Sequence, residues 1–105
     1  FERIFVNYPD PWPKSRHHKR RFIGDDNLPH LVRVAAKGAR LHIATDIPDY
    51  VRSSLETLRR FPEFAWTAEE PSDWREPWAD WPSTRYEAKA LREGRTPHYL
   101  TFIRS

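Results

Sequence analysis

Asp10 stands in the stretch YPDPWPKSRHHKRR, residues 8–21, with a proline on either side and a third at position 13. A carboxylate can balance a cation, accept hydrogen bonds or ligate a metal, and each role depends on where it is held. Pro9, Pro11 and Pro13 fix their own φ and push Tyr8, Asp10 and Trp12 towards extended backbone. One proline suffices to turn a chain, so an ordinary Asp-Pro loop leaves the other two unexplained. Three of them lower the entropy cost of holding a single geometry, which suits a working carboxylate. Immediately downstream, Lys14, Arg16, Lys19, Arg20 and Arg21 place five cations in eight residues with no acid among them.

That basic run fits a solvated loop or a targeting signal, but it follows directly on Asp10, so its charges would ring the same place. Arginine grips phosphate through two parallel hydrogen bonds, and Trp12 offers a stacking face. Nucleic acid is the partner this combination suits, with steeply salt-dependent binding. A second carboxylate, Asp46, follows a β-type run and precedes Ile47-Pro48, where it reads equally as a helix N-cap. Thr84-Arg85-Tyr86-Glu87 has the form of a capping box, Thr84 taking an amide hydrogen and Glu87 reaching back. His17, His18, His30, His42 and His98 show no metal-ligand spacing, and no Cys is present to complete a zinc tetrahedron.

The elements that must position these residues are legible from periodicity. Residues 2–8 (ERIFVNY) and 39–45 (ARLHIAT) have the β-branched and aromatic content of strands. Between them, Asp26 or Asn27 caps a helix with Pro29 in its first turn, Leu31, Val32, Val34 and Ala35 inside, and Gly38 as its terminator. Asp46 and Pro48 open a second helix carrying Tyr50, Val51, Leu55 and Leu58 at helical spacing. A short strand at 64–67 and an acidic, tryptophan-rich stretch at 69–82 follow, the latter suited to covering a sheet edge. A helix from Ser83 to Arg92, closed by Gly94, and a strand at 98–103 complete the chain. Strand-helix-strand order implies a βαβ crossover with parallel strands. Both Asp10 and Asp46 then fall at strand C-terminal ends, on the rim where open α/β sheets bind ligands.

At 105 residues the chain is one domain at most. Cysteine is absent, so disulfides and thiolate metal sites are excluded. No apolar run reaches the length of a membrane span, and no start resembles a signal peptide. The formal net charge of +3 becomes −2 without the five cations of 14–21, so the basicity is local. The chain begins at Phe1 inside an apparent strand and contains no Met, which suggests a fragment or trimmed polypeptide.

The stretch at 8–21 closely resembles the F-P-D-P-W-x-K-x-R-H-x-K-R-R signature of the bacterial tRNA (guanine-N7-)-methyltransferases, the TrmB-type enzymes. HIATD at 42–46 and TRYE at 84–87, for the family's T-x-[FY]-E, follow in the same order. The likeness covers essentially the whole chain, which would be the C-terminal half of such an enzyme. It implies a cytoplasmic enzyme with a Rossmann-like class I fold, this chain supplying strands 4–7 of a mostly parallel sheet ordered 3-2-1-4-5-7-6. It also implies S-adenosylmethionine as methyl donor and a guanine in the tRNA variable loop as acceptor. Asp10 falls on the proposed catalytic acid, which also lies beside the methyl donor. Lys14, Asp46, Thr84, Arg85, Tyr86 and Glu87 fall on substrate-contacting positions, and Arg16, His17, His18, Lys19, Arg20 and Arg21 on the RNA-contacting loop.

Tyr8 replaces the usual Phe, a mild departure. The glycine-rich turn and the acidic residues that hold the ribose and adenine lie outside these residues. Residues 1–105 are therefore expected to be a partial methyltransferase domain, inactive in isolation. Its apolar edge at residues 2–8 would be open to self-association or to pairing with the remainder of the domain. Two rival readings are a Mg²⁺-dependent nuclease using Asp10 and Asp46 as ligands, and a non-catalytic RNA-binding module.

Overall fold

The computed structural model describes residues 3–10, 14–68, 70, 72–78 and 84–105. Pro11, Trp12, Pro13 and Trp81 lie outside these residues, as do the side chains of His18 and Lys19. Strand β1, Arg3–Asn7, is followed by a 3-10 helix at Ser15–Arg20 within the segment expected to be a basic loop or turn. Helix α1, Leu28–Val34, leads to β2, Arg40–Thr45, and α2, Pro48–Arg59, leads to β3, Phe64–Trp66. Two further helices, α3 at Ser72–Arg75 and α4 at Arg85–Arg92, precede β4 at His98–Arg104.

The strands form one sheet in the order β1-β2-β4-β3. β1 runs parallel to β2, with Ile4 opposite Leu41 and Val6 opposite Ile43, as the βαβ reading requires. β4 is antiparallel to both β2 and β3. The described sheet is therefore mixed, with β1, β2 and β3 pointing one way and β4 the other. The reason lies in the chain path. β1, β2 and β3 all end at one rim, α3 and α4 follow from that rim, and β4 starts there and must run back.

One face of the sheet carries Val6, Leu41, Ile43, Leu100 and Phe102, packed with Leu28 and Leu31 of α1 and Tyr50 and Leu58 of α2. On the opposite face Phe5 stacks on His42 with ring centroids 4.8 Å apart, and Trp78 meets the His42 ring at 4.6 Å and Tyr99 at 5.4 Å. Trp78 also donates its indole N–H to Thr101 Oγ1 at 2.8 Å, so it covers this face of the sheet, where the sequence suggested cover for an edge. β1 is an edge strand of this sheet, and Phe5 is 41% exposed there.

Several local readings need correction. Val34 is exposed, and α1 ends at an extended Ala35, so Gly38 does not terminate it. Gly38 instead takes φ +84° in the turn into β2, where its N–H reaches the Arg104 carbonyl at 2.7 Å. Asn27 sits at the N-cap position of α1, but its amide donates to the Phe22 carbonyl. Asp46 does not cap α2: Thr45 Oγ1 accepts the Ile47 N–H at 3.2 Å, which leaves the Asp46 carboxylate for other work. Tyr8, expected to be extended before Pro9, has φ +46°, a left-handed conformation uncommon for a bulky side chain.

Arg21 departs furthest from its sequence reading. Expected among the RNA-facing cations, it is only 3% exposed. Its guanidinium donates to Asp49 Oδ2 at 2.7 Å and Ser53 Oγ at 2.8 Å, and lies 5.4 Å from the centre of the Tyr50 ring. Tyr50 is fully buried and its hydroxyl accepts the Ile23 N–H, so this corner pins the end of the basic segment to α2. Truncating Arg21 to Ala should lower stability by about 2 kcal/mol by removing packing and charge-assisted hydrogen bonds, whereas Lys14→Ala should change it by less than about 0.5 kcal/mol. Urea midpoints of the two variants decide this, and equal midpoints would contradict it. The hydrogen bond from Arg21 holds the Asp49 carboxyl below its ordinary 3.8. A depressed carboxyl stabilises the fold above its unfolded value, so this contribution should vanish as pH falls through that range and be weaker in Arg21→Ala.

Candidate functional site

Because β1 and β2 are parallel, the residues that follow them emerge on the same rim. Asp10 lies three residues past β1 and is exposed. Asp46 lies directly past β2 and is buried, its side chain 1% exposed. β4 begins at this rim, so the residues joining α4 to β4 come within reach of Asp46.

The Asp46 carboxylate has two described partners. Arg95 Nε donates to Oδ2 at 2.6 Å, and the Tyr86 hydroxyl donates to Oδ1 at the longer distance of 3.3 Å. Arg95 also pairs with Glu93, and its guanidinium carbon lies 5.8 Å from the centre of the Tyr86 ring. The hydrogen bond to Asp46 is the main reason the Arg95 guanidinium holds its proton more tightly than usual. Burial, then the charge of Asp46, raises the Tyr86 hydroxyl above the ordinary tyrosine value.

A second carboxylate is held nearby by the same helix. Thr84 caps α4 by accepting the Glu87 N–H at 3.0 Å, one arm of the capping box. The Glu87 carboxylate does not supply the other arm. Its two oxygens accept the Tyr8 hydroxyl at 2.7 Å and the Tyr99 hydroxyl at 2.8 Å. Burial first, and then the hydrogen bond to Glu87, pushes Tyr99 up to about 12. The same two causes, in the same order, carry Tyr8 well above the tyrosine range. Both phenols therefore stay protonated and donate across all ordinary pH. The Tyr8 ring lies 4.7 Å from that of Tyr86, which links the two carboxylate clusters. Tyr8, strained at φ +46°, ends β1 on these contacts and on its own N–H bond to the Ala44 carbonyl at 2.7 Å.

Asp46, Tyr86 and Glu87 of the sequence-predicted residues are thus joined in one network through Arg95, Tyr8 and Tyr99, with Thr84 supporting it as a cap. Lys14, Arg16, Arg20 and Arg85 are exposed, and His17 is half-buried. Arg21 belongs to the α2 corner and not to this surface. The sequence reading missed Arg95, Tyr99 and the role of Tyr8. Only Arg95 had a local signal: Gly94, at φ +78°, is the residue that turns the chain directly before it. Among the described residues no three His, Cys, Asp or Glu side chains gather into a metal-binding group, and no helix is long and apolar enough to cross a membrane.

A family model described as "Putative methyltransferase" matches residues 1–100. The chain is 63% identical over 102 residues to a tRNA (guanine-N(7)-)-methyltransferase from Ruegeria pomeroyi, covering 97% of this chain and 43% of that protein. The protein of the same name from Roseobacter denitrificans is 57% identical over 103 residues, covering 98% of this chain and 44% of its own length. The chain thus spans less than half the length of these curated relatives. With the family model matched across nearly its whole length, the chain belongs to this methyltransferase family.

Proposed function

We propose that this chain is the C-terminal, substrate-facing part of a cytoplasmic enzyme that methylates guanine N7 in tRNA, with S-adenosylmethionine as donor. The observation that carries the reading is the shared strand-end rim: an exposed carboxylate at Asp10, a fixed one at Asp46, and a cation-bearing 3-10 helix between them in sequence. The names of the relatives support the substrate and the reaction. The order β1-β2-β4-β3, with β4 reversed, is what strands 4, 5, 7 and 6 of a class I methyltransferase sheet would give. On that reading residues 1–105 are a partial domain, and the open edge of β1 is covered by the remainder of the domain or by a second copy.

S-adenosylmethionine, when bound, supplies an electrophilic methyl group on a sulfonium. Of the described residues, exposed Asp10 has the charge and position to neighbour that cation, whereas Asp46 is already engaged by Arg95. Guanine N7 carries a free lone pair at neutral pH, so no base is needed to remove a proton before attack. Positive charge instead builds on the purine ring, and a carboxylate held beside it stabilises that charge. Asp10 takes this role. Asp46 or Glu87 orients the base through its N–H groups, and Thr84 holds Glu87 in place. Tyr86 and Arg85 stand at the exposed start of α4, against the incoming nucleotide. Lys14, Arg16, His17, His18, Lys19 and Arg20 meet the phosphates.

In the whole protein, Asp10→Ala should reduce tRNA methylation by at least about a hundredfold, the scale on which a fixed charge stabiliser acts, while tRNA affinity stays within about twofold. Single-turnover methylation with radiolabelled donor and a filter-binding isotherm give the two quantities, and retained methylation would refute the role. Replacing Lys14, Arg16 and Arg20 together by Ala should weaken tRNA binding and flatten the plot of log K against log salt by about 0.7–0.9 for each phosphate that is no longer neutralised. An unchanged slope would remove these side chains from the RNA surface.

A further inference from the structure

Asp46 is placed so that an incoming base meets it only if something yields. Its side chain is 1% exposed, and both carboxylate oxygens are in use. The two partners differ. Arg95 Nε is close at 2.6 Å, while the Tyr86 hydroxyl sits at 3.3 Å and 3.5 Å from the two oxygens, long for an O–H donor. Tyr86 is also the more open of the two, 45% exposed. One contact is a clamp and the other is a weak, surface-facing cover.

The clamp is built into the end of α4. Gly94, with φ +78°, lets the chain close a helix-terminating motif in which Gly94 N–H reaches the Leu91 carbonyl at 3.1 Å and Arg95 N–H reaches the Ala90 carbonyl at 2.9 Å. Those two bonds fix the Arg95 backbone, and its side chain then spans 49 residues of sequence to Asp46. Tyr86 comes from the first turn of the same helix. α4 therefore brings to one carboxylate a rigid cation from its C-terminal end and an exchangeable hydroxyl from its N-terminal end.

We infer that Arg95 is a positioning residue for base recognition: it fixes the Asp46 carboxylate so that the N–H edge of the target guanine displaces the Tyr86 hydroxyl from it. This rests on the proposed reading that Asp46 contacts the base. A carboxylate with one oxygen pinned presents its remaining lone pairs in one direction, where the ring N–H and exocyclic amino group of guanine can both donate. Without Arg95 the carboxylate would be free to turn, and it would lose its preference for a base with two donors.

The test uses the whole protein and two tRNAs made by ligation, one with guanosine and one with inosine at the modified position. Inosine keeps N7 and the ring N–H but lacks the exocyclic amine. Wild type should prefer guanosine in kcat/KM, and Arg95→Ala should cut that preference at least about tenfold, the factor that one misplaced charge-assisted hydrogen bond is worth. Arg95→Lys should recover part of it, and serves as the readout if Arg95→Ala does not fold. Tyr86→Phe, which keeps the ring against Tyr8 but removes the competing hydroxyl, should lower KM for the guanosine tRNA about threefold to fivefold, as removal of one weak competing hydrogen bond would. An undiminished guanosine preference in folded Arg95→Ala, or a raised KM in Tyr86→Phe, would overturn the inference. If wild type methylates neither tRNA, the proposed function itself has failed and not the role of Arg95.

Discussion

A slip of β1 against β2 by one residue would turn Ile4 and Val6 away from Leu41 and Ile43 and present Arg3, Phe5 and Asn7 to the core instead. The observed register prevents this, because only one of the two faces of β1 is apolar enough to meet α1 and α2. The same register fixes where the chain leaves each strand. Once β1 and β2 lie parallel and in this alignment, Tyr8, Asp10, Thr45 and Asp46 emerge together. Tyr8 is bonded directly to the neighbouring strand end through the Ala44 carbonyl. The shared rim is thus a consequence of packing on the helix-covered face, and it does not require the carboxylates to attract one another.

β4 completes the rim from the other direction. It is the central antiparallel strand, and its start must lie where β1, β2 and β3 end. This reversal is what brings Arg95 and Tyr99 to carboxylates contributed by β2 and α4. A strand in the parallel sense would have placed them at the opposite end of the sheet. Tyr99 shows the result clearly: it lies opposite Ala44 in the β2–β4 register, and its hydroxyl reaches Glu87.

What could be read from the sequence follows from the range of the interactions involved. The β1-α1-β2 crossover, and with it the placement of Asp10 and Asp46 on one rim, follows from period and order alone. The cap at Thr84 and the turn at Gly94 are equally local, since each is decided within one helical turn. Arg21 was not legible, because a run of cations looks uniformly solvated until it is known that its last member faces α2. Asp46 was ambiguous for the same kind of reason. Local spacing places Asp46 at a helix start, whereas its carboxylate is engaged by an arginine 49 residues away. Tyr8 misled because the proline that follows it favours extended backbone. Its contacts with Glu87, Tyr86 and Ala44 hold it in a left-handed conformation instead, at a cost of roughly 1–3 kcal/mol.

The two rim carboxylates also differ in a way that bears on what each can do. Asp10 is exposed, so water solvates its charge. Such a group can respond to charge that appears beside it. Asp46 is removed from water, and a buried carboxylate without a partner would be strongly destabilising. Arg95 offsets that desolvation, and in doing so it sets the orientation of the carboxylate before any ligand arrives. Orientation fixed in advance costs nothing at the moment of binding, which is the property a recognition group needs. Exposure suits Asp10 to stabilising charge, and burial against a fixed cation suits Asp46 to choosing the base. The division of labour proposed for this rim follows from that difference in solvation.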